Sequence, residues 1–374
     1  MKIVLAPDSY KGSLTAKQAC DAMEKGIRKV LPEAEVVKIP MADGGEGTVQ
    51  SLVDATGGQI LQHNVTDPIG EKIMVKYGIL GDGMTAVIEM AEASGLYLVP
   101  VERRNPLMTT TYGTGELILA ALDQGCRTFI LGIGGSATND GGMGMLQALG
   151  VKFLDKQGTE LGFGGGSLAL LDRIDMSGMD SRLKTCTFTV ACDVDNPLCG
   201  PNGASHVFGP QKGATPEMVI QLDKNLKHHA AVIAKDLGVD VKNIPGSGAA
   251  GGLGAGMLAF LGAALKRGID IVIEATGLER HLEGADLVIS GEGQCDFQTE
   301  RGKTPFGVAR TAQREGVPVV LIAGSIGRGA DVLYQHGVQS VFSMVDKPMT
   351  MDEAMTNAYE LLSNTTERIV RLKV

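Results

Sequence analysis

KIVLAPDSYKGSLTAKQACDAMEKGIRKVLPEAEVVKIPMADGGEGTVQSLVDAT, residues 2–56, decides the architecture. KIVLAP (2–7) is an apolar run of strand length, closed by a polar turn. A helical stretch follows from Thr15 to about Val30, and Pro32 ends it. AEVVKIP (34–40) is a second strand, and MADGGEG (41–47) turns the chain into the helix TVQSLVDAT (48–56). Strand, turn, helix, repeated, is the rhythm of a doubly wound parallel sheet.

The end of the chain resumes that rhythm. ADLVISG (285–291) is a strand, GKTPFGVARTAQREG (302–316) a helix, and VPVVLIAG (317–324) and VQSVFSMV (338–345) are further strands. A helix from Asp352 to about Leu372 closes it. The middle differs: EKIMVKYGIL (71–80) and MTAVIEMAEA (84–93) alternate as antiparallel strands do, with GDG between them as a hairpin-type turn. Five parallel strands divided between the two ends predict an α/β protein in which one domain interrupts another. The expected boundaries are 1–59 plus 284–374 for the doubly wound domain and 60–283 for an inserted mixed α/β domain.

Composition narrows the function. The 374 residues are 44% hydrophobic and 21% charged, as in a globular protein, but 52 are glycine, well above the usual share of roughly 7%. These glycines show no fixed period and cluster in short loops. A net charge of −9, with 4% aromatic residues and no Trp, argues against nucleic acid and anionic membrane surfaces as partners. The six cysteines form no Cys-x-x-Cys pair, which fits reduced thiols in the cytoplasm, and MKIVLAPDSY has no signal-peptide layout. GSGAAGGLGAGMLAFLGAAL (246–265) has the length and small-residue spacing of a membrane helix. Its scarcity of large apolar residues favours a glycine loop running into a buried helix.

Ligands of an open parallel sheet bind beyond the carboxyl ends of its strands. The turns expected there are PDSYKGS (7–13), ADGGEGT (42–48), GEGQCDFQTERGK (291–303) and AGSIGRG (323–329), all glycine-rich, most with carboxylates, hydroxyls or lysine. The middle segment adds NPLMTTTYGTGE (105–116), ACDVDNP (191–197) and FGPQKGA (208–214). Exposed amides and lysines hold phosphate oxygens, carboxylates and hydroxyls hold Mg²⁺, and a free aspartate takes a proton from a hydroxyl. That is a set of parts for phosphoryl transfer.

GIGGSATNDGG (132–142), after the apolar run TFIL, offers a rival. Gly132, Gly134 and Ala137 satisfy the dinucleotide pattern G-x-G-x-x-A, and Asp155 ends the next strand-like run. Yet Ser136–Asp140 prolong a polar loop where a dinucleotide turn should enter its helix. A dehydrogenase of a small hydroxy acid, or a non-catalytic small-anion-binding protein, therefore stays open on the motifs alone. RGKTP (301–305) is not a P-loop, because the position five before Gly302 is Phe297 and Pro305 follows at once.

Taken together, APDSYKGSL, MADGGEGTV, NPLMTTTYGTGELI, GIGGSATNDGGMGMLQALG, ACDVDNPLCG, VFGPQKGA, GAAGGLGAGMLAFLGA and GEGQCDFQTERGKTPFGVA resemble the bacterial type I glycerate kinase family, over essentially the whole length. The resemblance implies ATP- and Mg²⁺-dependent phosphorylation of D-glycerate, mostly to 2-phosphoglycerate. It also implies a flavodoxin-like domain carrying a second α/β domain, with the active-site cleft between them. Many members carry arginine where this chain has Gln294, and an aliphatic residue where it has Cys295.

Within that reading Ser9 and Ser13, with Asn196 and Thr110, are expected to hold D-glycerate. Lys11 offsets the repulsion between an acidic protein and an anionic substrate, and Asp193 is the expected base. Gly134, Gly135, Ser136, Thr138, Asn139, Lys212, Gly291 and Lys303 are the expected ATP contacts. Asp43, Glu46, Asp140 and Asp296 are the expected Mg²⁺ ligands. Homo-oligomer formation is left open.

Overall fold

The computed structural model describes residues 1–372. Its strands, in chain order, are β1 (Lys2–Leu5), β2 (Glu35–Lys38), β3 (Gln59–Thr66), β4 (Lys72–Ile79), β5 (Thr85–Glu89), β6 (Thr128–Gly132), β7 (Lys152–Leu154), β8 (Arg173–Asp175), β9 (Thr187–Ala191), β10 (Ala264–Lys266), β11 (Leu287–Cys295), β12 (Val319–Ile326) and β13 (Val338–Ser343). The chain divides into two compact units, one of Met1–Gly58 with the chain from Arg267 onward, the other Gln59–Lys266. The second crossing thus falls at Lys266, not at the expected 283. The reason is packing: the helix Gly268–Thr276 lies on the helices Thr48–Thr56 and Thr304–Arg314 of the first unit.

In the first unit the sheet order is β13-β12-β11-β1-β2, with every neighbouring pair parallel. Numbered within the sheet this is the flavodoxin order 2-1-3-4-5, whose switch point lies between β1 and β11. The helix Ala16–Arg28 starts at a capping box in which Thr15 and Gln18 satisfy each other's backbone N–H. It crosses the helix Ala358–Arg371 at Gly26, where a Cβ would run into the Ser363 carbonyl. Ile3, Leu5, Met23, Ile27, Ile289, Ile322 and Leu362 fill the core between sheet and helices.

Two elements depart from expectation. The strand ADLVISG does not turn at Gly291: β11 runs on to Cys295, paired with β12 through Gln294–Ser325 and Cys295–Ile326. β13 pairs with β12 as far as Ala323, the residue opposite Glu292, so β11 and β12 run past the sheet only beyond that point, with Gln294 and Cys295. The closing helix is broken into Met351–Thr356 and Ala358–Arg371. Asn357 leaves helical geometry between them and its amide donates to the Glu353 carbonyl at 2.8 Å.

The second unit holds a six-stranded sheet, β10-β9-β6-β5-β4-β3. β3, β4 and β5 are antiparallel and the rest parallel, and β7 and β8 form a separate antiparallel pair. The glycine-rich stretch at 246–265 is a buried helix, Ala249–Leu261, whose first turn is non-helical at Ala250, Gly251 and Gly252. Among the described residues no helix is long and apolar enough to cross a membrane.

Candidate active site

The first unit gathers its polar turns at the carboxyl edge of the parallel sheet. Past the end of β1 the backbone continues the ladder on β11, with Ala6 N–H on the Ile289 carbonyl and Asp8 N–H on the Gly291 carbonyl, both at 2.9 Å. That register sets Asp8 beside Glu292 at the switch point. Asp8 accepts from Thr304 Oγ1 and from its neighbour's amide, Ser9 N, both at 2.6 Å. Burial pushes its carboxyl up to about 6, with the negative charge of Asp43 adding and the two hydrogen bonds opposing. Glu292 is 8% exposed and accepts from Thr299 Oγ1 at 2.7 Å and Lys303 Nζ at 3.2 Å. Burial raises its pKa too, and these two partners oppose the rise.

These groups open onto a cavity of about 430 Å³ that also takes in Ser9, Lys11, Ser13, Asp43, Gln294 and Ser325. Met344, Met349, Met351, Ala354 and Met355 supply the apolar part of its lining. Tyr10 closes the floor: it is buried, and its hydroxyl donates to the Ile322 carbonyl at 2.7 Å.

In the second unit the 132–142 loop is turned inward. Asp140 is fully buried, and four donors reach its carboxylate: Thr111 N–H (2.9 Å), Thr111 Oγ1 (2.8 Å), Gly142 N–H (3.1 Å) and Gly144 N–H (3.2 Å). Burial raises its pKa and the hydrogen bonds pull it back. Lys212 is 2% exposed, and its ammonium donates to Ser136 Oγ and the Thr138 carbonyl, both at 2.6 Å. Burial brings it down to about 7 against the opposing pull of Asp140. Asn139 is bonded to Ser205 (3.2 Å), and Thr109 Oγ1 donates to the Ala137 carbonyl (2.8 Å). Thr138 Oγ1 is buried without a partner among the described residues. Gly134 and Gly135 alone of the expected phosphate contacts in this loop face solvent.

This arrangement does not fit a dinucleotide turn. The following helix, Met143–Ala148, is one and a half turns long, and the amides at its start are already taken by the chain's own Asp140. A pyrophosphate would have to displace a buried carboxylate from that seat.

Comparison with known proteins decides the family. The model of the glycerate kinase family matches residues 3–374. The chain belongs to the glycerate kinase family. It is 56% identical to the glycerate 2-kinase of Escherichia coli K12 over 369 residues, 99% of this chain and 97% of the relative. It is equally 56% identical to the glycerate kinase of Bacillus subtilis 168, with the same coverage. A solved glycerate kinase 2 from Salmonella typhimurium LT2 superposes with a TM-score of 0.93 at 53% identity, covering 100% of this chain and 98% of that one.

The remaining expected residues of this glycerate kinase family member are scattered. Lys303 and Gly291 belong to the first-unit site, Lys303 at the position just ahead of the helix Thr304–Arg314. Glu46 is exposed ahead of the helix Thr48–Thr56, and Asp296 is occupied by its own loop, accepting from Gln298 N–H at 2.8 Å and Gln294 Nε2 at 3.1 Å. Gln294 is thus tied to Asp296. Cys295 is buried and its thiol is pushed far up by burial, so it is a packing residue. Asp193 is exposed beyond the end of β9, and Asn196 donates to the Asn202 carbonyl at 2.8 Å. Thr110 is buried, its hydroxyl accepting from Tyr112 N–H at 3.2 Å. All six cysteines are free.

Two residues escape the sequence-derived site set, Asp8 and Glu292. Both stand in turns read as chemistry-bearing, but burial singles them out and only the fold supplies it. Among the described residues no three His, Cys, Asp or Glu side chains converge as a ready-made metal cage. Mg²⁺ in phosphoryl transfer is held by one or two carboxylates plus phosphate oxygens. Asp8 and Asp43, which both line the cavity, are hard oxygen donors of the kind that pattern uses.

Proposed function

We propose that this family member transfers the terminal phosphoryl group of ATP to a hydroxyl of D-glycerate, with Mg²⁺, giving 2-phospho-D-glycerate. One observation carries the reading: Lys11 and Lys303 share a cavity with Ser9, Ser13, the half-buried Asp8 and the buried Glu292. The Escherichia coli relative, named a glycerate 2-kinase, supports the choice of the 2-hydroxyl.

Phosphoryl transfer passes through a loose transition state, so positioning and charge neutralisation matter more than covalent help. Lys11, exposed at the rim, attracts the anionic substrate against a net charge of −9, and the hydroxyls of Ser9 and Ser13 orient its carboxylate. Lys303, fixed by Glu292, presents its ammonium toward phosphate. Asp8 and Asp43 would hold Mg²⁺, which would supply charge neutralisation for the triphosphate. Asp193 accepts the substrate hydroxyl proton. Asp140, with its four bonds made internally, is left out of the metal set. Lys212 ties the 136–138 backbone in place, and the amides of Gly134 and Gly135 remain open to a phosphate oxygen.

Coupled ADP release with a panel of small hydroxy acids, with and without Mg²⁺, tests this. Turnover that requires both D-glycerate and Mg²⁺ is expected, and NMR of the product gives the position of the phosphate. No glycerate-dependent ADP would sink the proposal. A shift in reduced-nicotinamide fluorescence on mixing would favour the dehydrogenase instead.

A further inference from the structure

We infer that the methionine-lined part of the first-unit cavity is the seat of the nucleotide base. The inference rests on the phosphoryl-transfer reading above and assigns a ligand to a surface that the reading leaves unused.

Three observations converge. The cavity holds about 430 Å³, within the range of sites that enclose ligands of drug size, and a three-carbon acid fills only a small part of it. Its lining is of two kinds, the polar Lys11, Lys303, Asp8 and Glu292 and the apolar Met344, Met349, Met351 and Met355. A hydroxy acid has no use for the apolar part, whereas a nucleoside triphosphate joins a polar chain to a flat, largely apolar base. The two kinds of lining also adjoin each other. A Cβ on Gly12 would stand 2.6 Å from Met355 Cε, so the methionine wall closes directly over the loop that bears Lys11 and Ser13.

Methionine suits the task. Its thioether is polarisable, makes favourable contacts with aromatic rings, and its unbranched chain adapts to a planar guest. The one aromatic residue lining the cavity, Tyr10, is buried with its hydroxyl committed to the Ile322 carbonyl, so the thioethers form the exposed apolar surface. Ala354, between Met351 and Met355 on the same short helix, keeps the wall recessed; a larger side chain there would fill the space the base needs.

The test uses the full chain and reads binding, not turnover. Wild-type protein is photolabelled with 8-azido-ATP and the modified peptide identified by mass spectrometry. Label within 344–355 that unlabelled ATP competes away is expected; competed label confined to residues outside that segment overturns the inference. In parallel, the Kd of a non-hydrolysable ATP analogue and that of tripolyphosphate are measured for wild type and Ala354→Phe. Ala354→Phe should weaken the analogue about tenfold or more and leave tripolyphosphate unchanged, tenfold being about 1.4 kcal/mol of lost contact. Equal affinity of the two proteins for the analogue overturns the base seat. Nucleotide bound at 344–355 with no glycerate-dependent ADP release removes the kinase reading and leaves the seat standing. ADP release with labelling elsewhere does the reverse.

Discussion

Asp140 and Asp193 are both loop aspartates, and burial separates their roles. Asp140 is enclosed and accepts from four donors. Asp140→Asn would turn an amide N–H₂ toward some of those donors, and the expected loss is about 3 kcal/mol in chemical denaturation. Unchanged stability with an altered Mg²⁺ requirement would make it a metal ligand after all. Asp193 is exposed, so Asp193→Asn should leave folding alone and lower kcat by roughly 10²–10⁴ with KM little changed, the usual range for lost acid–base help. Steady-state kinetics decide that point, and near-normal turnover would free Asp193 from the role. His229 gives a pH test. Its ring is buried against Phe153, both nitrogens lack partners among the described residues, and burial lowers its pKa from 6.5 to about 3. Above pH 6.5 both native and unfolded histidine are neutral and nothing is linked. Between 6.5 and 3 only the unfolded chain takes up the proton, so stability falls as pH falls. His229→Leu should remove that dependence, about 1.4 kcal/mol per pH unit within the window. Urea melts of the two proteins at pH 7, 6, 5 and 4 measure the difference, and parallel pH profiles would contradict it.

The helix Ala249–Leu261 carries the one non-glycine residue with positive φ among those described, Ala250 at 52°. The left-handed turn it shares with Gly251 and Gly252 lets the backbone meet the 138–141 loop, Gly141 N–H donating to the Gly251 carbonyl at 3.0 Å. An alanine in that conformation is strained by roughly 1–2 kcal/mol, partly offset by the greater freedom glycine would have when unfolded. Ala250→Gly should therefore stabilise the protein by about 0.5–1 kcal/mol, read as a rise in Tm; a fall would mean that the Ala250 methyl packs well enough to outweigh the strain. The sequence already marked this stretch as a glycine loop entering a buried helix, because its composition forbids a membrane span. The strands of the parallel sheet were equally legible, since each is an apolar run between polar turns. What stayed hidden depends on tertiary partners. Nothing local tells Glu292 to stay in a strand; β12 does, by pairing with it as far as Cys295. Nothing in FGPQKGA makes Lys212 a buried lysine, because a lysine in a loop is solvated unless the fold closes over it. The methionines at 344–355 carry no signature of a site, and only their convergence on one cavity gives them one.

The two compact units keep separate cores. Every buried residue of the second unit's core cluster lies between Val65 and Ala263, while the first unit buries residues such as Ile3, Leu52, Val272 and Leu362, from both ends of the chain. The parallel strands at the two ends of the chain predict such a division, but the far boundary depends on which side the helix Gly268–Thr276 packs, and that is a tertiary fact. The division has an asymmetric consequence for folding. Gln59–Lys266 is continuous in sequence and brings all six strands of its sheet with it. The other unit places β1 between β2, from the same end of the chain, and β11, from the far end. A fragment of residues 1–58 thus holds only a two-stranded piece of a five-stranded parallel sheet, with both edges open and half its core missing. The fragment 59–266 should fold alone, giving a single cooperative thermal transition by circular dichroism and protected amides in its central strands, β5, β6 and β9. Residues 1–58 alone should stay unfolded, and should gain strand signal only when residues 267–374 are added or covalently joined. A non-cooperative melt of 59–266 would mean that its core depends on the rest of the chain, and the two cores would then have to be treated as one folding unit.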